Sequence, residues 1–264
     1  MGLFKKKPKY KPIPGLIGDA TDYNLYTPNI KEKILWFVIG LIASGSVLYL
    51  FYENIFVSLI VGALCGIAFI PIRTKQMIKK RRQKLSLQFR ELLDALSTSI
   101  GAGKNVQDAF QGAIEDLSLQ FTPESDIVRE LETICAGMYN NIAIEDLLLN
   151  FAARSGIEDI ANFANVFATC YRKGGNINEV IKNTAEIIGD KIEIKMELQT
   201  MVAGQKNEMN IMLVMPALFI IVMKSMGGGL IDLSTPIGIL STTGALAIFV
   251  LAYFAGQWIT NIKL

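Results

Sequence analysis

The chain has 264 residues, 51% of them apolar, with a formal net charge of +2. It has no histidine, and its three cysteines, Cys65, Cys135 and Cys170, form no C-x-x-C pair. These counts argue against a disulfide framework, a zinc site and histidine-based catalysis, and no cofactor is expected. The apolar residues are concentrated in four blocks, and the chain reads as an all-α integral membrane protein rather than a soluble enzyme.

Residues 1–33 form a basic segment carrying Lys5, Lys6, Lys7, Lys9, Lys11, Lys31 and Lys33. Ile34–Tyr52 and Ile55–Ile72 follow, each uncharged and close to the roughly 20 apolar residues that cross a bilayer. Only Glu53 and Asn54 separate them, so residues 34–72 are expected to form a transmembrane hairpin. Residues 73–84 are a juxtamembrane run with Arg73, Lys75, Lys79, Lys80, Arg81, Arg82 and Lys84 and no acid. Basic residues stay on the cytoplasmic side, which puts both basic runs inside and the hairpin tip outside. Lys79, Lys80, Arg81 and Arg82 also suit anionic lipid headgroups; a topology anchor and a lipid contact are compatible. The second pair occupies residues 209–264, with spans at 209–226 and 237–259, the loop between them outside and Lys263 inside. Lys224 falls near the outer end of the third span and is read as snorkelling to the interface. Gly40 and Ser44, Gly62 and Gly66, and Ala252 and Gly256 are small residues four apart, a spacing that lets helices approach closely.

Residues 85–208 carry ten basic and nineteen acidic residues, a net charge of −9. Such a domain should stand off nucleic acid and anionic lipid and suit a basic protein partner. Its apolar residues recur at three and four: Leu85, Phe89, Leu92, Leu93, Leu96 and Ile100; Ile127, Leu131, Ile134 and Met138; Ile160, Phe163, Phe167 and Tyr171. Such stripes mark amphipathic helices, expected over 86–101, 105–118, 123–139, 143–154, 157–173 and 176–208. The last has no proline before Pro216 and is expected to run straight into the third span. Gly101 and Gly103 suit a left-handed cap, Pro123 a first helical turn, and Gly174 or Gly175 a chain reversal needing positive φ. A short pattern recurs as Val106-x-Asp108, Ile144-x-Asp146 and Ile177-x-Glu179. Asn105 and Asn176 are N-cap candidates for the outer copies, with the acid at the third helical position. The middle copy has Ala143 there, which moves its expected cap to Asn141.

The stretches FRELLDALSTSIGAGKNVQDAF, ELETICAGMYNNIAIEDLLLNFAARSG and YRKGGNINEVIKNTAEIIGDKI resemble the F domain of type II secretion and type IV pilus assembly platforms. Gly103, Ala109, Arg154 and Gly174–Gly175 fall on the family pattern. Two spans, domain, two spans is similar to the Tad pilus platform proteins, and the GGNINEV turn is nearest the B member of that pair. The resemblance implies four transmembrane helices around a six-helix cytoplasmic F domain in the cell (inner) membrane. It implies a non-enzymatic platform coupling a hexameric secretion ATPase to pilin subunits. A single F domain implies that a related platform chain or a homo-oligomer completes the assembly.

The residues agree with the absence of chemistry. Gly103–Lys104 is the only GK, with Thr98 where a P-loop needs its first glycine and Asn105 where it needs Ser or Thr. A transporter or channel subunit is the competing class, but it would place ionisable groups in mid-membrane, and Lys224 is the only charge within the four spans. Acids on the hairpin turns are the expected ATPase-docking residues: Asp108, Glu145, Asp146, Glu158 and Glu179. Asp108, Asp146 and Glu179 serve equally well as helix caps.

Overall fold

The computed structural model describes residues 12–18, 20–52, 54–225 and 236–260. Among these there is helix and no strand. The helices are α1 (Ile30–Tyr52), α2 (Ile55–Gly101), α3 (Val106–Gln120), α4 (Asp126–Tyr139), α5 (Ile144–Ser155), α6 (Glu158–Lys173), α7 (Ile177–Ser225) and α8 (Pro236–Thr260). Four of the expected helices, 105–118, 123–139, 143–154 and 157–173, correspond to α3–α6, shifted by up to three residues at an end. Residues 86–101 are the C-terminal part of α2, and residues 176–208 belong to α7, which continues as one helix to Ser225. The chain divides into two compact units. One comprises Met1–Thr27 and Lys75–Ile192, the other Pro28–Thr74 and Glu193–Leu264.

In the first unit, one apolar face of each helix is removed from water. Leu85, Phe89, Leu92, Leu93 and Leu96 of α2 meet Phe110 of α3, Leu131 of α4, Phe151 of α5 and Phe163 of α6. Phe89 lies at the centre, its ring centroid 5.4 Å from that of Phe163 and 6.3 Å from that of Phe151. These helices alternate as hairpins, and each reversal has its own device. Gly103 (φ 87°) ends α2, Gly156 (φ 61°) ends α5 and Gly174 (φ 68°) ends α6. The Gly103 amide bonds to the carbonyl of Ile100, and the Lys104 amide to that of Ser99. The GK pair thus closes a helix end and offers no phosphate cradle.

Three local expectations change. Asn141 does not cap α5: it takes the left-handed conformation (φ 59°) that reverses the chain after α4, and α5 starts at Ile144 behind Ala143, with no side-chain cap. The asparagine side chain tolerates that conformation better than most. Pro123 precedes α4 in a turn closed by the Ser125 amide on the Thr122 carbonyl, and the helix begins at Asp126. Gly101 remains helical, leaving Gly103 as the left-handed residue.

Of the pair Gly174–Gly175, Gly174 has the positive φ, and open space surrounds the place a Cβ would occupy. Its requirement is purely conformational, so Gly174→Val is expected to cost about 1 kcal/mol or more of domain stability. At Gly175 a Cβ would lie 3.1 Å from the Cys170 sulfur. Denaturant unfolding of the two single valine variants measures both, and two variants as stable as the parent would contradict this account of the turn.

In the second unit, α1 and the start of α2 are long and apolar enough to cross a membrane, over Ile30–Tyr49 and within Ile55–Gly101. Asn29 and Glu32 cap α1, the Glu32 carboxylate accepting from the Asn29 amide at 3.0 Å. Asn54 caps α2 by accepting from the Phe56 amide at 3.0 Å. The small residues face one another across this hairpin. A Cβ on Gly40 would lie 3.0 Å from the Gly66 Cα, and one on Gly62 3.3 Å from the Gly45 Cα. The Ser44 hydroxyl donates to the Gly40 carbonyl at 2.6 Å. At Gly256 of α8 a Cβ would meet the Met209 side chain of α7, and the hydroxyls of Tyr52 and Thr243 lie 2.9 Å apart. The expected outer loop 226–235, the lysines at positions 5–11, Glu53 and Lys263 lie outside the described residues, as does the Lys224 side chain.

Candidate docking surface

The reversals α2–α3, α4–α5 and α6–α7 come to one end of the first unit. Val106 and Gln107 at the start of α3, Met138, Ile142 and Glu145 around the α4–α5 turn, and Tyr171 in the last turn of α6 line a cleft of about 360 Å³. The start of α7 joins them: the Ser97 hydroxyl of α2 lies 3.5 Å from the Asn178 side chain. This end therefore gathers the N-termini of α3, α5 and α7, where unpaired amides favour negative charge. Asp108 occupies that position in α3, and its amide donates to the Asn105 side chain at 2.8 Å. Glu179 repeats the arrangement in α7, its amide donating to Asn176 at 3.3 Å.

The five expected docking acids do not form one surface. Asp108, Asp146 and Glu179 are exposed at this end. Glu145 is buried, with its side chain about 10% exposed, and it faces the Arg172 guanidinium at 3.5 Å. Arg172 also approaches Asp146 at 3.7 Å. Glu158 is exposed but begins α6, whose opposite end holds Tyr171. Thirteen residues at a helical rise of about 1.5 Å put it roughly 20 Å away. Its neighbour Asp159 is bound to Lys191 of α7 at 2.7 Å.

The opposite end carries a feature that the sequence reading missed. Glu130 of α4 and Arg154 of α5 form a two-pronged ion pair, Nη1 to Oε1 at 2.7 Å and Nη2 to Oε2 at 2.6 Å. Their side chains are 3% and 2% exposed. Asn150 accepts from Arg154 Nε at 2.7 Å, and the Thr21 carbonyl accepts from Nη1 at 2.9 Å. Tyr23, from the N-terminal segment, is 1% exposed and donates its hydroxyl to Glu130 at 3.0 Å. Burial, reinforced by the Glu130 and Asp126 carboxylates, raises the Tyr23 pKa far above its ordinary value, so the hydroxyl keeps its proton.

Arg81 lies over the Tyr23 ring at 4.8 Å and grips Asp126 with Nε at 3.0 Å and Nη2 at 2.6 Å. Its hydrogen bonds to Asp126 push the guanidinium pKa up. Arg82 donates to the Asn24 side chain. The two arginines expected to face lipid are thus engaged within the first unit, while Lys79 and Lys80 remain exposed. One signal was available: Arg81 stands four residues before Leu85, the first core residue of α2, and so falls on the same helix face.

The described residues are thus all helix or irregular, and two of the helices are long and apolar enough to cross a membrane. Residues 92–223, half of the chain, match the family profile described as Type II secretion system (T2SS), protein F. The chain belongs to that family, and it is a platform-type protein of the type II secretion and type IV pilus kind. No curated protein and no solved structure gives a significant match.

Proposed function

We propose that this protein is a membrane platform of a Tad-type pilus that couples a cytoplasmic secretion ATPase to pilin assembly, together with a related platform chain or further copies of itself. In this reading the spans are 34–52, 55–72, 209–226 and 237–259, and residues 85–208 are cytoplasmic. The observation that carries it is the family match across α2–α7, on a domain whose first and last helices are also the long helices with apolar stretches. A topology reporter fused after Asp116 is expected to register as cytoplasmic, and an external signal would overturn the orientation.

The exposed acids Asp108, Asp146 and Glu179, at the end that gathers the starts of α3, α5 and α7, are the docking residues to test, since Glu145 is occupied by Arg172 and Glu158 lies at the far end of α6. Reversing the three charges together is expected to weaken association with the secretion ATPase about tenfold at low salt. Wild-type association should itself fall as ionic strength rises. Surface filaments should be lost while the protein still inserts. Salt-insensitive binding that the triple reversal leaves unchanged would remove the electrostatic docking.

A further inference from the structure

Residues 12–27 precede α1, have no helix or strand among those described, and yet belong to the compact unit of Lys75–Ile192. We infer that the ends of α4 and α5, with the adjoining turn of α2, form a peptide-binding groove. Its ligand is the chain's own Asp22-Tyr23-Asn24 segment, seated as a releasable strap.

The segment is built like a short ligand. Tyr23 is its one fully buried described residue, a single aromatic anchor whose hydroxyl reaches Glu130 and, at 3.3 Å, the Asp126 carbonyl. Around the anchor lie directional polar contacts. The Tyr23 amide donates to the Arg154 carbonyl at 3.0 Å, one of the carbonyls a helix C-terminus leaves open. The Asn24 side-chain amide donates to the same carbonyl at 3.0 Å, and its oxygen accepts from Arg82. Asn150 donates to the Pro14 carbonyl at 3.1 Å. Asp22 is turned inward on the segment itself, accepting from the amides of Ile13 and Asn24 at 2.9 Å and 2.8 Å. These contacts are made within the segment itself, and a ligand held by its own contacts loses less freedom on binding.

The groove does not depend on its occupant for charge balance. With the strap gone, Glu130 and Arg154 still hold each other by two hydrogen bonds, and Asp126 still holds Arg81. Water can replace the single contacts that Tyr23 and Thr21 supply. Gly156 shapes the rim: it has positive φ, and a Cβ there would run into the Asn24 side chain and the Arg82 guanidinium. An anchored aromatic in a preformed site, ringed by polar contacts, is the pattern of a short-peptide interface.

The test uses the full-length protein in detergent, with a protease site inserted between Thr27 and Pro28. After cleavage the N-terminal fragment is expected to stay bound, and then to exchange for a fluorescent synthetic peptide of residues 12–27, followed by anisotropy. A Tyr23→Ala peptide should compete at least 30-fold more weakly, and a Tyr23→Phe peptide about fivefold. Alkylation of Cys135, which is buried in α4, reports whether the domain stays folded throughout. Protection of Cys135 during exchange supports a groove that stands open. Equal competition by the Tyr23→Ala peptide would refute the recognition. A fragment that never exchanges, or Cys135 becoming reactive once it leaves, would make the segment an integral part of the core and refute the strap. None of these outcomes depends on pilus assembly or ATPase binding.

Discussion

Arg154→Ala is expected to destabilise the helical domain by about 3–5 kcal/mol. The substitution leaves the Glu130 carboxylate buried with only the Tyr23 hydroxyl as partner, and an unpaired buried charge is among the most costly changes a fold can suffer. Arg154 also binds Asn150 and the Thr21 carbonyl, so the end of α5 and the N-terminal segment lose their common tie. The readout is the alkylation rate of Cys135 in the intact protein. Its thiol is buried, and burial pushes its pKa up to about 11, so it reacts slowly while the domain is closed. A destabilisation of that size should raise the reaction rate more than a hundredfold. The double variant Glu130→Gln/Arg154→Met removes both charges and should recover much of the loss. An Arg154→Ala protein as protected as the parent would mean that the pair adds nothing to stability.

Phe89→Ala is expected to cost about as much, roughly 3–5 kcal/mol, for a different reason. Phe89 is 1% exposed and touches the rings of Phe151 and Phe163, so its removal opens a cavity between α2, α5 and α6. Neighbouring rings fixed on separate helices cannot close such a space without moving backbone. Phe89→Leu keeps most of the volume and should cost less than half as much. Leu119→Ala is the surface control: Leu119 is 90% exposed, and its loss should be nearly neutral. Denaturant unfolding of the three variants orders them, and a Phe89→Ala protein no weaker than Leu119→Ala would contradict the central place given to this ring.

The helices of residues 86–208 were legible because the information for them is local. Apolar residues at three and four, Asn105 and Asn176 before an acid, and glycine at the reversals are all readable within a few residues. The Asn141 turn was misread because asparagine serves both helix starts and left-handed ends, and only the backbone tells them apart. The strap was not legible at all. Residues 12–27 have no periodicity, and Tyr23 stands among polar residues with nothing to announce its burial. The hydrogen-bond partners of its hydroxyl lie more than 100 residues away in sequence. Charge runs misled for a related reason: residues 79–82 form one basic cluster on paper, but a helix turns each successive side chain by about 100°. Lys79 and Lys80 stay in solvent, while Arg81 and Arg82 meet Asp126 and Asn24. The docking acids were found as helix-start residues, which is local, but whether they share one surface depends on which helix ends lie together.

The strap also orders events during synthesis. Most contacts of the helical domain join consecutive helices, so its hairpins can form as they emerge from the ribosome. The Tyr23–Glu130 bond spans 107 residues, and the bond from Arg154 to the Thr21 carbonyl spans 133. The segment is made before its seat, which exists only once α5 has been completed. Until then Tyr23 remains in water and the end of α5 keeps an open carbonyl. Closing this long loop is the highest-contact-order step in the unit, and such steps are slow. The seating of this segment thus depends on α4 and α5, which are made more than 100 residues later.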